Sequence, residues 1–201
     1  MKRKNLIAIK KIKKNKAILK NTKILNFYEI FKSIFRKEIK NKRFAVAVSG
    51  GADSLCLAYF SKMYSLEFKN QMYVLIVDHK LRKKSSKESL KVKKILNKKN
   101  IKSEILTWKG QVPKSNIQKN ARNIRYSLIS EYCNNKKVKY IATAHHADDQ
   151  IENFFIRLLR GSGLTGLAPM LSNTKYSKNL KIIRPLLDFN KNDLKYVTLN
   201  Y

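Results

Sequence analysis

The chain has 201 residues and 43% apolar composition, enough for one globular domain with a core of its own and too apolar for outright disorder. Its longest apolar runs, such as MYVLIV (72–77), fall far short of the ~20 residues that cross a bilayer. Two cysteines, Cys56 and Cys133, can build neither a disulfide framework nor a structural zinc site, which points to the reducing cytoplasm.

The first 23 residues carry ten basic side chains and no acid. LIAI (6–9) is too short an apolar run for a secretory signal, and one Arg with no Ser is too few for a mitochondrial presequence. The stretch reads first as a solvated Lys-rich tail and second as a basic extension that touches RNA. It is part of a larger excess: 45 basic residues against 13 acidic give a net charge of +32, a field suited to a nucleic-acid partner. Of the 45, however, only 9 are Arg, so compositional drift toward Lys supplies part of the excess.

Apolar positions 24, 27, 28, 31, 34 and 35 form a helical stripe over 24–40. FAVAV (44–48) predicts a buried strand, SGGADS (49–54) a turn, and LCLAYFSKMYSL a helix. MYVLIV predicts a second strand ending at Asp78-His79, followed by a helix over about 86–98. A third strand spans 103–108, GQVP (110–113) is turn chemistry, and 118–132 is helical. VKYIATA (138–144) predicts a fourth strand, with His145-His146 and a helix through Leu159 behind it. GSGLTG (161–166) breaks that helix, and KIIRPLL (181–187) predicts a fifth strand.

Continuous apolar strands alternating with helices predict an α/β fold: a doubly wound parallel sheet of about five strands with helices on both faces. Ligands in such sheets bind beyond the carboxyl ends of the strands. SGGADS, Asp78-His79 and His145-His146 all fall there, so three polar clusters converge on one rim.

The paired glycines Gly50 and Gly51 permit positive φ and let backbone amides close around a phosphate, with a helix N-terminus aimed at the same place. Ser49 and Ser54 add hydroxyls. Asp53 would repel a bare phosphate and makes sense as a holder of magnesium beside one. Asp149 and Glu152, three apart on a helix, can hold an ammonium group or a metal; they also complement that helix's dipole. His145 and His146 point in different directions and lack a third ligand of suitable spacing, which favours nucleotide or acid contacts for one and packing for the other. Arg157 and Arg160 suit a substrate phosphate or an RNA backbone, and the glycines of the turn that follows, Gly161 and Gly163, allow that backbone to approach closely.

SGGADS after a first strand resembles the pyrophosphate-loop motif of enzymes that adenylate a carbonyl oxygen. HHADDQIEN (145–153), RLLRGSGLTGLAPM (157–170) and RPLL (184–187), from about Phe44 to Tyr196, resemble the tRNA(Ile)-lysidine synthetase family in order and spacing. Asn153 departs from the family's usual threonine. The resemblance implies a Rossmann-like nucleotide-hydrolase fold, with residues 1–40 as extension and helix and 41–201 as the catalytic domain. It implies that ATP sits on Ser49, Gly50, Gly51, Ala52, Asp53, Ser54, Asp78, His79 and His145, with magnesium at Asp53. Lysine falls to Asp149, Glu152 and Asp148, and tRNA(Ile) with a CAU anticodon to Arg157, Arg160, Gly161 and Gly163. In the ARNIRY stretch (121–126), Arg122 and Arg125 stand near the triphosphate and Tyr126 packs; with Asp53 and Arg160 these two arginines are the catalytic set. Arg82 is a weaker candidate for the same charge.

The implied reaction joins free lysine to the wobble cytidine through an adenylated base. Family chains normally continue past RPLL with more of the catalytic domain, so an ATP site complete here and a tRNA site incomplete is the expectation. Two other readings compete. A base-thiolating relative would use ATP likewise but commonly needs a CxxC pair, and a non-catalytic RNA-binding fragment would bind RNA without ATP turnover.

Overall fold

The structure, a computed structural model, describes residues 21–111 and 115–201. The basic extension and the last part of GQVP lie outside the described residues.

Helix α1 (Thr22–Ile39) opens at Asn21, whose side chain accepts from the amides of Lys23 and Ile24, two donors a helix start leaves without partners. Its buried residues Ile24, Tyr28, Phe31, Phe35 and Ile39 recur every three or four positions and so form one face. That face meets Phe44, Phe60 and Tyr64 in an aromatic cluster, with Phe35 edge-on to Phe44 and to Tyr64 at 5.0 Å. Full burial of each such side chain contributes roughly 1.5–3 kcal/mol.

Strands β1 (Phe44–Ala47), β2 (Met72–Asp78), β3 (Ser103–Thr107), β4 (Tyr140–Ala142), β5 (Asn173–Lys175) and β6 (Lys181–Ile183) form one sheet in the order β3-β2-β1-β4-β6-β5. All neighbouring pairs are parallel except β5 with β6. Helices α2 (Ala52–Phe68), α3 (Ser85–Lys98), α4 (Ile117–Asn135), α5 (Ala147–Leu159) and α6 (Lys191–Asn200) connect or flank them. The larger core gathers residues of α1, α2, α3 and α6 over Val46, Val74 and Ile76. The smaller sets Tyr126, Ile129 and Cys133 of α4 against Ala45, Leu75 and Ile141. Residues adjacent along β1 and β2 thus enter different cores, as alternating side chains on a doubly covered sheet must.

The expected sheet of about five strands is present with one strand more than was read: Asn-Thr-Lys at β5 is polar and three residues long, an edge strand with no apolar signature. Two strand bounds need correction. The strand expected over 181–187 ends at Ile183; Pro185 has no N–H for a ladder. The strand expected over 138–144 is only Tyr140–Ala142. Helix α6 was not foreseen, because its sequence KNDLKYVTLN is largely polar. It is anchored by buried Leu194 and Val197, by Thr198 donating to the carbonyl of Ala52 at 2.8 Å, and by Tyr201 stacked on Tyr59 at 4.0 Å. The end of the chain thereby braces the first turn of α2, where the glycine loop enters. No helix among the described residues is long and apolar enough to cross a membrane.

Candidate active site

The glycine loop joins β1 to α2 at the carboxyl rim of the sheet. Gly50 has φ +96°, and a Cβ there would lie 2.4 Å from a methyl of Val92 on α3. Only glycine meets both conditions. Gly50→Ala should therefore cost about 1–3 kcal/mol of stability, read as a lower melting temperature; an unchanged melting curve would show that Val92 imposes nothing on the loop. Gly51 is the N-cap of α2 and has open space around it, so a ligand can approach the backbone closely.

Ser54 works from inside the loop. Its hydroxyl accepts from the amides of Ser49 (3.2 Å) and Gly50 (3.0 Å) and donates to the carbonyl of Gly51 (3.0 Å). It shapes the turn, and its proton is already engaged, whereas the sequence pattern suggested a donor to phosphate. Asp53, in the first turn of α2, has one carboxylate oxygen, Oδ1, buried without a hydrogen-bond partner. An orphaned anionic oxygen beside a phosphate loop fits a cation such as magnesium.

Above the loop a cavity of about 560 Å³ runs along the strand ends. Ser49, Asp53, Arg125, Tyr126, His145 and Asp149 line it, with His79 and Arg82 at the β2 side. Asp78 is close by but buried and fully engaged: Ser85 and Ser86 each donate to it at 2.7 Å, and the Lys80 amide at 3.1 Å. Burial opposes its charge, yet these donors hold its carboxyl below the ordinary range. Asp78 therefore fixes the loop carrying His79 and Arg82. Arg82 pairs with exposed Glu88 at 3.1 Å.

His145 hydrogen-bonds Thr143 Oγ1 through Nδ1 at 3.0 Å. Burial, reinforced by Arg184, Arg122 and Arg125 and opposed by Asp149, pushes its pKa down to about 4. The imidazole is neutral at pH 7. His79 is lowered likewise, by burial and then by Arg125. His146 turns inward: it is buried, with Nε2 3.6 Å from both Asp53 and Asp149 and Nδ1 3.3 Å from Asp148. One histidine thus faces the cavity and the other packs among acids. Among the described residues, no group of three or more His, Cys, Asp or Glu side chains is arranged to hold a metal ion.

The acids of α5 separate. Asp149 lines the cavity and accepts from the amide of His146 at 2.9 Å. Asp148 points to the start of α6, accepting from the Lys191 amide at 2.8 Å, which lowers its pKa. Glu152, one turn on, is exposed outside the cavity.

The arginines separate as well. Arg125 lines the cavity of about 560 Å³, while Arg122 lies over the Tyr126 ring at 5.3 Å and lines a second cavity of about 480 Å³. His145 forms part of the wall of both, and buried Arg184 lines the second. Arg184 donates through Nη1 to the Leu171 carbonyl and Thr174 Oγ1 at 2.8 Å each, leaving its Nε buried without a partner. Arg157 donates to the carbonyls of Gly166 and Ala168 at 3.0 Å, tying down the turn after α5. Arg160 is exposed at the end of α5, and Gly161 beside it has φ +69°. Gly163 caps the 3₁₀ turn Leu164–Leu167. Thr143 and Arg184 escaped the sequence reading; an arginine inside the apolar run KIIRPLL was the available signal.

A phosphate loop between β1 and α2, closed by α6 and opening on a cavity at the strand ends, defines a class of nucleotide-binding α/β proteins. Residues 20–200 match the family described as "PP-loop domain", and the chain belongs to that family. It is similar to proteins named tRNA(Ile)-lysidine synthase: 42% identical over 156 residues in Orientia tsutsugamushi (strain Boryong), covering 78% of this chain and 35% of that protein. In Wolbachia pipientis wMel the figures are 42% over 165 residues, 80% and 38%. In Rickettsia akari (strain Hartford) they are 39% over 170 residues, 83% and 39%. The chain thus spans less than two-fifths of the length of these curated relatives. Among solved structures it resembles a U34-tRNA thiolase, NcsA, from Methanococcus maripaludis with its [4Fe-4S] cluster. There the TM-score is 0.73 at 20% identity, over 92% of this chain and 64% of that one, a likeness of fold.

Proposed function

We propose that this chain carries the ATP site of an enzyme that ligates lysine to the wobble cytidine of tRNA(Ile) with a CAU anticodon, acting in the cytoplasm. The observation that carries the reading is the junction of the glycine loop and Asp149 in one cavity, in a chain 37–42% identical to proteins of that name.

The loop Ser49–Ser54 takes the β- and γ-phosphates, and Asp53 holds magnesium, which neutralises phosphate charge when bound. Arg125 and neutral His145 face the α-phosphate. The cytidine enters the second cavity, beside Arg122 and Arg184. Its carbonyl oxygen forms a bond to the α-phosphorus as pyrophosphate leaves with its electron pair. The lysine ε-ammonium, held by Asp149, loses a proton to solvent, and the free amine attacks the base carbon that bears this oxygen. AMP departs with the oxygen and the electron pair of the C–O bond, and the extra proton of the new C–N bond also passes to solvent. Little covalent work falls to the protein; positioning and charge stabilisation lower the barrier.

A thiolase reading is disfavoured by the cysteines. Cys56 lies in the larger core and Cys133 in the smaller, both fully buried on opposite sides of the sheet, and burial raises both thiols. The test is incubation with tRNA(Ile) transcript, ATP, magnesium and labelled lysine. Pyrophosphate release that requires the tRNA, with label incorporated, is expected. RNA binding with no ATP turnover would instead identify an RNA-binding module.

The charge of +32 gives a separate expectation. Each neutralised phosphate contributes about −0.7 to −0.9 to the log–log salt slope, so affinity for tRNA should fall by at least about 100-fold between 50 and 200 mM salt. A filter-binding titration checks this, and a flat response would assign the excess lysine to composition alone.

A further inference from the structure

The sheet has a second rim, and its charge is the reverse of the first. Asp53, Asp78, Asp148 and Asp149 stand at the carboxyl ends of the strands or in the helix turns that follow them. The amino ends lie about 23 Å away along the seven residues of β2. There four loops hand a helix over to a strand: 40–43, 69–71, 99–102 and 136–139. Of their fifteen residues nine are Lys or Arg and none is acidic, whereas the whole chain has 45 basic residues in 201. Compositional drift alone would put about three there. Helix dipoles account for a little more. Each of the four helices ends on a lysine C-cap, Lys40, Lys69, Lys99 and Lys136. Four helix ends carry about −2 in all, too little to call for nine cations. The lysines also stand where the backbone disfavours them. Lys40, Lys69 and Lys137 have φ of +46°, +53° and +54°, a region that costs about 1–2 kcal/mol per residue. Asparagine tolerates it better and is used so at Asn100. Among the described residues none of the nine is ion-paired with an acid, and all but Lys99 are exposed.

We propose that this amino-terminal rim docks double-stranded RNA by its phosphate backbone, on the side of the molecule away from the nucleotide cavity. The loops follow the order of their strands, 99–102, 69–71, 40–43 and 136–139, so their charges form a row about 14 Å long at ~4.8 Å per strand. Arg43 donates to the Lys136 carbonyl at 3.2 Å and joins two of the loops. Beside loop 40–43 lies a cavity of about 390 Å³ whose wall includes Arg36, Lys37 and Lys40 and no acid, a concave seat for a phosphate. Lysine is a flexible point charge, suited to a backbone more than to base edges. Exposed Asn41 and Asn100 add groups that can hydrogen-bond 2′-hydroxyls. A single strand fits less well, because its bases need aromatic side chains to stack on and these loops have none. Phe68, in the cavity wall, is already covered by Arg36 at 5.2 Å. A bilayer surface calls for apolar side chains to insert, and the only two in the loops, Ile101 and Val138, are buried. The inference does not rest on the reaction proposed above.

The experiment is fluorescence anisotropy of a blunt RNA duplex of about 16 base pairs, titrated at several salt levels with protein freed of nucleic acid. Two variants lose the same charge. The rim variant combines Lys40→Asn, Lys69→Asn, Lys102→Gln and Lys137→Asn, one change per loop. The control combines Lys83→Gln, Lys87→Gln, Lys91→Gln and Lys94→Gln, all exposed on or just before α3. At about 100 mM salt the rim variant should bind at least about 30-fold more weakly, with a log–log salt slope shallower by about 3. The control should weaken by less than about threefold, since charges beyond the contact are screened. The basic extension is common to both and cancels. The rim variant should melt no lower than the parent, because asparagine suits positive φ. Should the combination fold poorly, Lys102→Gln with Lys139→Gln, neither at positive φ, should still flatten the slope by about 2. ATP should leave the affinity for duplex unchanged. Equal losses in rim variant and control would reduce the effect to net charge, and displacement of the duplex by ATP would move it to the cavity. Either result overturns the proposal, as would absence of duplex binding or tighter binding to phosphatidylserine vesicles than to the duplex.

Discussion

Asp53→Ala should reduce ATP-dependent pyrophosphate release by at least about 100-fold, the scale on which losing one preorganised charge at a phosphoryl centre acts. The carboxylate sits in the first turn of α2, with one oxygen buried and unpartnered and the other 3.6 Å from His146. Its removal takes away the group best placed to hold a cation at the phosphates. The fold should survive, because the structural interactions lost are a carboxylate at a helix N-terminus, worth about 0.3–1 kcal/mol, and its 3.6 Å approach to His146. Melting temperature and activity together are the measurement. Full pyrophosphate release by a folded Asp53→Ala protein would remove Asp53 from the nucleotide site. Loss of both activity and folding would point to a different cause, the contact with buried His146. Asp53→Asn separates the cases: it preserves shape and a hydrogen-bonding oxygen, so it should fold normally and still fail to use magnesium.

The same residue illustrates what could be read without coordinates. SGGADS announced its position because a strand, paired glycines and a helix start are all local features, and Gly50 is constrained as the pattern requires. Asp149 was legible for the same reason. What failed to show in the sequence were engagements between distant segments. Asp78 looks like a free acid at a strand end until Ser85 and Ser86 are seen to saturate it. Arg157 looks like a surface cation until its guanidinium is found on Gly166 and Ala168. Asp149 and Glu152 share a helix face, but they stand about 60° apart around it and roughly 4.5 Å apart along it, enough to leave one inside the cavity and one outside it. Helix α6 contributes just two buried side chains to the core, too weak a periodic signal to recognise, yet it supports the loop through Thr198. Local chemistry was visible; the bonds that assign each polar group to structure or to ligand were not.

That division sharpens the expectation for the lysine site. Asp149→Asn should raise the lysine concentration needed for half-maximal ligation by about 10- to 100-fold, the value of one charge-assisted hydrogen bond of ~1.5–3 kcal/mol. The amide retains an oxygen that can still accept from the His146 amide, so the start of α5 should keep its shape. Glu152→Gln should have a smaller effect, below about tenfold, because an exposed carboxylate acts through solvent. Adenylation of the tRNA, followed separately from lysine transfer by the ATP label retained on RNA, should persist in both variants. Accumulation of adenylated tRNA in Asp149→Asn at low lysine, relieved by excess lysine, is the specific signature, since only a defect in the second step stalls the reaction there. The opposite pattern, adenylation lost while whatever activity remains has a normal lysine dependence, would mean that Asp149 works with Asp53 on the metal. In that event the closeness of both acids to His146, 3.6 Å in each case, would mark one electrostatic unit in place of two adjoining sites.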